Sequence, residues 1–157
     1  IVFIVGCCFI GITLQYMKVF KDIRPFWLHI AKTYPNWAEA QFQAGLVERK
    51  ANNIESSLQF YKNAFTKKPL LTKALNNYGA TLMDRRQYLK AKPYIMRAKE
   101  INPKNPDPYY NLAVIESKTG NDEKKVAELF KLHVFKKEKN KPKDYNLGPN
   151  ILNSNNN

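Results

Sequence analysis

Proline recurs at a fixed interval along most of this chain. Pro35, Pro69 and Pro103 stand 34 residues apart, and each closes a segment with a similar internal arrangement of small and large residues. A period of this length fits one helix-turn-helix unit, which leaves an apolar face that it cannot bury alone. Since neighbouring units must stack to bury those faces, the period predicts an all-α fold, a short α-solenoid with a concave surface suited to recognition.

The units can be aligned by counting each proline as position 32. In the first two units, positions 8, 20 and 27 then hold small residues, such as Gly45 and Gly79 at position 8. We place them where the two helices of a unit cross, because larger side chains would push the axes beyond about 8–10 Å. The pattern resembles the tetratricopeptide repeat over about 100 residues. The resemblance implies a helix A and a helix B in each of the units 38–71, 72–105 and 106–136, within a solenoid at 37–136.

Turn residues and departures from the repeat pattern add further expectations. Asn52-Asn53, Arg86-Gln87 and Gly120-Asn121 fall where helix A turns into helix B, and Asn or Gly suits the left-handed backbone there. Glu48 and Glu116 occupy position 11, where a large apolar residue is usual, and Lys125 replaces a small residue at position 20. The third unit is therefore expected to be an atypical, capping repeat.

The amino-terminal segment suggests attachment to a membrane. Residues 1–17 carry no charge, which is near the lower limit for a bilayer-spanning helix, and we predict a transmembrane helix at 1–20. A cleaved signal peptide is the alternative, although a basic start and an Ala-x-Ala site are missing. Because the chain starts with Ile1 and not with Met, we expect it to be a fragment or a processed product. Lys18, Lys21 and Arg24 indicate a cytoplasmic flank.

Residues 21–36 are predicted to form a helix B without its helix A, a half-repeat whose Trp27 seals one end of the solenoid. The pattern from Phe20-Lys21-Asp22 through Phe26-Trp27 to Pro35 resembles a junction in polytopic membrane proteins. These are of the glycosyltransferase-C, O-mannosyltransferase-like type with carboxy-terminal tetratricopeptide repeats. This resemblance covers about 20 residues. It implies that the repeats are lumenal, periplasmic or extracellular, whereas the basic flank indicates a cytoplasmic location. A single-span anchor with a capping half-repeat is the alternative.

Position 6 of helix A holds Gln43, Asn77 and Asn111, which we call the carboxamide ladder. Helical geometry directs this position into the concave groove, where amide donors and acceptors at regular intervals suit the backbone of an extended peptide. The arrangement resembles the asparagine ladder of the O-GlcNAc transferase repeats, although Asn is also simply common at this position. The other predicted groove residues are Phe42, Leu46, Lys73, Asn76 and Tyr110.

Composition narrows the possible functions. The net charge is +13, but the lysines are scattered through helical segments without an aromatic-basic module, so a nucleic-acid partner is not expected. His29 and His133 are isolated, and no metal site, cofactor or catalytic constellation can be assembled. Residues 137–157 are rich in Lys and Asn, which predicts a disordered tail, either solvated or touching anionic lipid.

The sequence therefore predicts a non-enzymatic, membrane-anchored repeat module that binds a peptide or protein partner in its helix A groove. The alternative is the substrate-recruiting carboxy-terminal region of a multi-span membrane glycosyltransferase whose catalytic part lies outside this chain. The basic flank indicates cytoplasmic repeats and the glycosyltransferase resemblance implies lumenal, periplasmic or extracellular ones, so the sequence leaves both sides of the membrane open.

Overall fold

A computed structural model describes residues 23–120 and 122–140, and the regular structure of this part of the chain is entirely helical. The prediction of an all-α fold is confirmed for these residues. The helices are α1 (Ile23–Thr33), α2 (Ala38–Lys50), α3 (Ile54–Lys67), α4 (Thr72–Asp84), α5 (Tyr88–Ile101), α6 (Asp107–Lys118) and α7 (Glu123–Lys139).

The helices stack in chain order as a solenoid. Each one packs on the next, and α2 also contacts α4 while α4 contacts α6. The pairs α2–α3, α4–α5 and α6–α7 are the three helix A and helix B units, and α1 precedes them as a single helix. Because the three A helices touch one another, they share one side of the stack, and that side is the groove considered below.

Glycine permits the close approach of the helices within the first two units. A Cβ atom added to Gly45 would lie 2.6 Å from Cδ1 of Tyr61, and one added to Gly79 would lie 2.6 Å from Cγ1 of Ile95. Real Cβ atoms do not approach carbon so closely. The close packing is therefore consistent with the expected need for small residues where helix A crosses helix B. Ala113 is the corresponding residue of the third unit and is fully buried.

The turns have the left-handed residues that the sequence predicts. Asn52, Arg86 and Gly120 have φ angles of 62°, 58° and 76°. In the second turn the backbone N–H of Arg86 donates to the carbonyl of Met83, and that of Gln87 donates to the carbonyl of Leu82. This pair of bonds is the Schellman arrangement that satisfies carbonyls at the end of a helix.

We expect Arg86→Gly to be more stable than Arg86→Ala by about 1 kcal/mol, because only Gly adopts a positive φ without a clash of its Cβ. Both variants remove the same charge, so urea unfolding of the two compares backbone strain directly. Equal midpoints would show that the turn relaxes to another conformation when the arginine side chain is lost.

Tyr61 is the largest fully buried side chain of the described residues, and its ring centroid lies 6.0 Å from that of Phe42. Among those residues its hydroxyl has no hydrogen-bond partner. Burial raises the pKa of Tyr61 to about 12, an effect that Arg49 opposes and Asp84 increases. The hydroxyl is thus a buried polar group that destabilises the folded state.

We expect Tyr61→Phe to raise the free energy of unfolding by about 1 kcal/mol near neutral pH, because an unpaired buried hydroxyl has a desolvation cost of that order. Since the folded-state pKa of Tyr61 is raised, the unfolded state loses its proton first as pH rises from about 10 towards 12. The unsubstituted chain should therefore lose more stability over this window than the variant. Urea unfolding at several alkaline pH values measures the difference, and a less stable variant at neutral pH would contradict this account.

Two glutamates at position 11 are buried and paired. Glu48 of α2 is 3% exposed, and its carboxylate accepts hydrogen bonds from Nε of Arg24 at 2.6 Å and from Nδ2 of Asn53 at 3.0 Å. Burial alone would raise the pKa of Glu48, but these bonds and the charge of Arg24 lower it below its usual value. Because Arg24 lies in α1, the pair fastens the single helix to the first unit.

Glu116 of α6 is 1% exposed and joins the second and third units. Its Oε1 atom lies 2.9 Å from Nζ of Lys92 in α5 and 2.9 Å from Nζ of Lys125 in α7. The unusual Glu116 and the unusual Lys125 of the third unit are therefore partners. The negative charge of Glu116 and the positive charge of Lys125 compensate each other, at positions where the repeat normally has an apolar residue and a small residue.

Some sequence predictions fall outside the described part of the chain. The transmembrane helix predicted at 1–20 and residues 21–22 of the half-repeat lie there, as do Asn121 and residues 141–157 of the predicted tail. No helix within residues 23–120 and 122–140 combines the length and apolar character needed to cross a bilayer. The last helix continues to Lys139 instead of ending at 136, because lysines are good helix formers and favour the carboxyl end of a helix.

Candidate peptide-binding groove

The groove contains an open cavity of about 460 Å³ that reaches all three units. Phe42 comes from α2, Asn77 from α4 and Asp107 from the start of α6. The other lining residues are Thr72, Lys73, Asn102, Lys104, Asn105, Pro106 and Asn140. Three of the eight predicted groove residues, Phe42, Lys73 and Asn77, thus meet at one cavity.

The carboxamide ladder is present, but its three amides are not equivalent. Nε2 of Gln43 donates to Oε1 of Glu39 at 3.3 Å, and Nδ2 of Asn77 donates to the carbonyl of Lys73 at 2.9 Å. Nδ2 of Asn111 instead reaches the neighbouring helix A, where it donates to Oδ1 of Asn76 at 3.0 Å. Only Asn77 of the three lines the cavity, and Asn111 ties one unit to the next.

Position 5 changes its role from one unit to the next. Phe42 is 5% exposed and packs into a core cluster with Tyr61 and Ala74, so it forms the floor of the cavity. Asn76 is 8% exposed and is held by Asn111. Leu46, one turn after Phe42, also packs against that cluster and is partly buried. These side chains therefore contribute to the packing of the groove, and little of their surface is available to a ligand.

Tyr110 is turned towards helix B of the third unit. Its ring centroid lies 5.7 Å from that of Phe130 and 5.4 Å from that of His133. His133 also contacts the carbonyl of Pro106 through Nδ1 at 3.0 Å. Tyr110 therefore belongs to a small aromatic cluster between α6 and α7, although about half of its surface remains exposed.

The loop before α6 contributes groove residues that the repeat pattern did not single out. Oδ1 of Asn102 accepts the backbone N–H of Lys104 at 3.3 Å, and Oδ1 of Asn105 accepts that of Asp107 at 3.1 Å. Nδ2 of Asn140 donates to the carbonyl of Lys104 at 3.0 Å, so the end of α7 closes over the loop. The signal for the loop was available in its two Asn-Pro dipeptides, which mark turns.

The residues that line this cavity are of types that can bind a peptide. Carboxamides, a threonine, lysines and one aspartate surround a partly apolar floor. In the part of the chain that the structure describes, no cluster of three or more His, Cys, Asp or Glu side chains could hold a metal ion. Such a lining can hydrogen-bond a peptide backbone and accommodate a side chain.

Comparisons with known proteins agree with the repeat architecture. A family model for the tetratricopeptide repeat matches residues 72–105, which are α4, α5 and the loop that follows. The fold is similar to that of a MamA double mutant (MamA RS-1 ArsTM), with a TM-score of 0.66 and 19% identity over 82% of this chain and 72% of that one. A further MamA crystal structure has a TM-score of 0.67 and 17% identity, covering 85% and 74%. Similarity at this level of identity concerns the fold.

Two curated relatives match a larger part of the chain than the family model does. Protein O-mannosyl-transferase TMTC3 from Homo sapiens and its counterpart from Mus musculus are each 30% identical over 99 residues. The match covers 62% of this chain and 11% of the relatives, so the chain spans about a tenth of their length. Both resemblances inferred from the sequence, to tetratricopeptide repeats and to O-mannosyltransferase-like proteins, are confirmed.

Proposed function

Since residues 72–105 carry a tetratricopeptide repeat within a three-unit stack, we propose that this chain binds an extended peptide segment of a protein partner in its helix A groove. The observation that supports this most is the cavity of about 460 Å³, which all three units line. A ligand there contacts α2, α4 and α6 at once. Repeat proteins recognise partners through such concave surfaces.

Asn77 is the best-placed side chain for holding a peptide backbone. One of its amide hydrogens bonds the carbonyl of Lys73, which fixes the orientation of the carboxamide. The Oδ1 atom and the second amide hydrogen then serve as an acceptor and a donor for one peptide unit of the ligand. A pre-oriented side chain loses little conformational freedom when the ligand binds.

Membrane anchoring is a second element of the proposal. It rests on the uncharged stretch 1–17 of the sequence, followed by Lys18 and Lys21. An anchor of this kind would hold the groove close to the bilayer and raise the effective concentration of membrane-bound partners. Flotation of the expressed chain with liposomes tests this element separately from peptide binding.

We expect Asn77→Ala to weaken peptide binding by about tenfold, because the groove loses its pre-oriented carboxamide while the helix keeps a good helix former. The ligand is a peptide selected on the full chain from a random phage-displayed library, and fluorescence anisotropy gives its Kd. Asn111→Ala is a poorer probe, since it also removes the partner of the buried Asn76 and should lower stability.

Gln59→Ala provides the matched control for Asn77→Ala. Gln59 is an exposed carboxamide on α3, and its Nε2 donates to Oδ1 of Asn63 at 2.9 Å, an intramolecular bond comparable to that of Asn77. Its loss should change the Kd by less than about twofold. Equal effects of the two substitutions, or no effect of Asn77→Ala, would count against the groove as the binding site.

The second candidate function is that of a substrate-recruiting region of a membrane O-mannosyltransferase. The match to the two TMTC3 proteins favours it, together with the junction from Phe20 to Pro35. The groove would then bind the polypeptide that receives the sugar, and the reacting groups would lie in a different part of a longer protein.

Sequencing the transcript upstream of the Ile1 codon is the first test of this role. Several hydrophobic spans with acidic residues in the first lumenal loop would support it. An initiating Met codon directly before Ile1 would exclude it.

A further inference from the structure

Four lysines lie at the end of the groove that is nearest to the last helix, α7. Lys73 and Lys104 line the cavity of about 460 Å³, and Lys104 also lines a neighbouring cavity of about 310 Å³ with Lys136 and Lys139. The two cavities share Lys104 and Asn140, so they form one continuous surface. We call this surface, with its four lysines, the basic end of the groove.

The described residues balance only a small part of the positive charge of this surface. Asp107 is the only acidic residue among those that line the two cavities. None of the four lysines forms an ion pair with a carboxylate of the described residues, whereas Lys92 and Lys125 elsewhere both pair with Glu116. A concave surface lined by one sign of charge concentrates ligands of the opposite sign.

Neighbouring side chains contact Lys136 and the backbone of Lys104. Nζ of Lys136 lies 4.9 Å from the centroid of the Tyr109 ring, and the hydroxyl of Tyr109 donates to the carbonyl of Pro103 at 3.0 Å. The bond from Asn140 to the carbonyl of Lys104 holds the end of α7 against the loop. Lysines from two distant parts of the chain are thus brought together by specific contacts.

The polar groups beside the lysines favour a peptide ligand. Asn77 and Asn140 each use an amide hydrogen to bond a backbone carbonyl, and the Oδ1 atom of each accepts no hydrogen bond from the described residues, so it can accept one from a ligand. Peptide N–H groups supply such donors along the whole backbone of an extended ligand, whereas a phosphodiester linkage supplies only acceptors. Phe135, 60% exposed at the same cavity, adds apolar surface for a side chain of the ligand.

We propose that the basic end of the groove recognises acidic residues of an extended peptide, with Lys73, Lys104, Lys136 and Lys139 as the cationic subsite. This inference rests on the proposed function and specifies its partner as an acidic segment. Acidic side chains contact the lysines, while the peptide backbone bonds the carboxamides of Asn77 and Asn140. The affinity falls as salt rises, because Lys73, Lys104 and Lys139 are exposed to solvent and their interactions are screened.

The experiment uses the full chain and two fluorescent peptides of about 12 residues, one alternating Glu and Ser and the other alternating Gln and Ser. We expect the Glu peptide to bind at least about tenfold more tightly at about 50 mM salt, and to lose most of that advantage at about 200 mM. Lys104→Gln with Lys139→Gln should weaken the Glu peptide about tenfold and leave the Gln peptide unchanged.

Lys62→Gln with Lys118→Gln is the charge-matched control, because both lysines are exposed in α3 and α6 and line neither cavity. Equal binding of the two peptides, or equal losses in the two double variants, would overturn the inference. Tighter binding of phosphatidylserine vesicles or of an oligonucleotide, with the same sensitivity to Lys104→Gln and Lys139→Gln, would overturn it in favour of that ligand. If library-selected peptides still depend on Asn77 while acidity makes no difference, only the inference fails; if no peptide depends on Asn77, the proposed function fails as well.

Discussion

Gly79→Val is expected to lower the free energy of unfolding by about 3 kcal/mol, near the upper end of typical overpacking effects. A Cβ atom at Gly79 would lie 2.6 Å from Cγ1 of Ile95, which is fully buried, and 3.3 Å from the backbone carbonyl oxygen of Ala91. The helices α4 and α5 would have to separate, and the core that they share with α6 would loosen. Urea unfolding followed by helical circular dichroism measures the loss.

Two controls separate a clash from a general effect of valine. Ala127→Val places the same residue at an exposed position of α7 and should cost only about 0.5 kcal/mol of helix propensity. Adding Ile95→Ala to Gly79→Val should be less destabilising than the sum of the two single changes, because the smaller side chain makes room for the larger one. Additive effects would show that Gly79 and Ile95 do not form the contact described.

Glu116→Ala is expected to lower the free energy of unfolding by about 2–3 kcal/mol. The substitution removes both ion pairs, to Lys92 and Lys125, and leaves a cavity at a site that is 1% exposed. The expected loss of stability is at the low end of the range for breaking a buried ion pair. Both lysines are partly exposed, so their charged groups can turn towards water when Glu116 is removed. Urea unfolding measures this loss of stability. Glu128→Ala is the control, because Glu128 is exposed, and its free energy of unfolding should stay within about 0.5 kcal/mol of that of the unsubstituted chain.

Glu116→Leu distinguishes charge from packing at the same position. Leu82 occupies the corresponding place in the second unit and is buried there, so leucine fits position 11 of this fold. Replacing a buried ion pair by an apolar residue of similar volume is often close to neutral. The leucine variant should therefore be more stable than the alanine variant, and the reverse order would contradict the role given to the ion pairs.

The local features of the fold were predictable because they depend on residues close in sequence. The period of Pro35, Pro69 and Pro103 gave the spacing of the helices, and the Asn and Gly of the turns marked where the backbone becomes left-handed. Arg86 is the exception in residue type, yet its φ of 58° follows from its place in the period. Helix-turn-helix repeats impose this regularity because each unit solves the same packing problem.

The candidate site was harder to predict, because it depends on contacts between units. Helical spacing places Gln43, Asn77 and Asn111 at the same position, but it does not tell which amide reaches a neighbouring helix. The bond from Asn111 to Asn76 and that from Asn140 to Lys104 each join residues 35 or 36 positions apart. Such contacts require the angle between successive units, which no local pattern encodes.

Buried charge illustrates the same limit. The sequence marked Glu48 and Glu116 as departures from an apolar position, but one ionic partner of each lies outside its own unit, Arg24 in α1 and Lys92 in α5. Arg24 precedes Glu48 by 24 residues, and Lys92 precedes Glu116 by a similar distance. These pairs are visible only when the solenoid is assembled.

The central claim, that the helix A groove binds an extended peptide, can be tested directly by the side-chain amide signals of the full chain in nuclear magnetic resonance. A library-selected peptide is titrated into the chain, and the signals of Asn77, Asn102, Asn105 and Asn140, which line the cavity, are compared with those of Gln59 and Asn63 on α3. We expect the four groove amides to shift in proportion to the bound fraction and the two α3 amides to stay in place. Shifts confined to the α3 amides, or none at the groove amides under saturating peptide, would contradict the account.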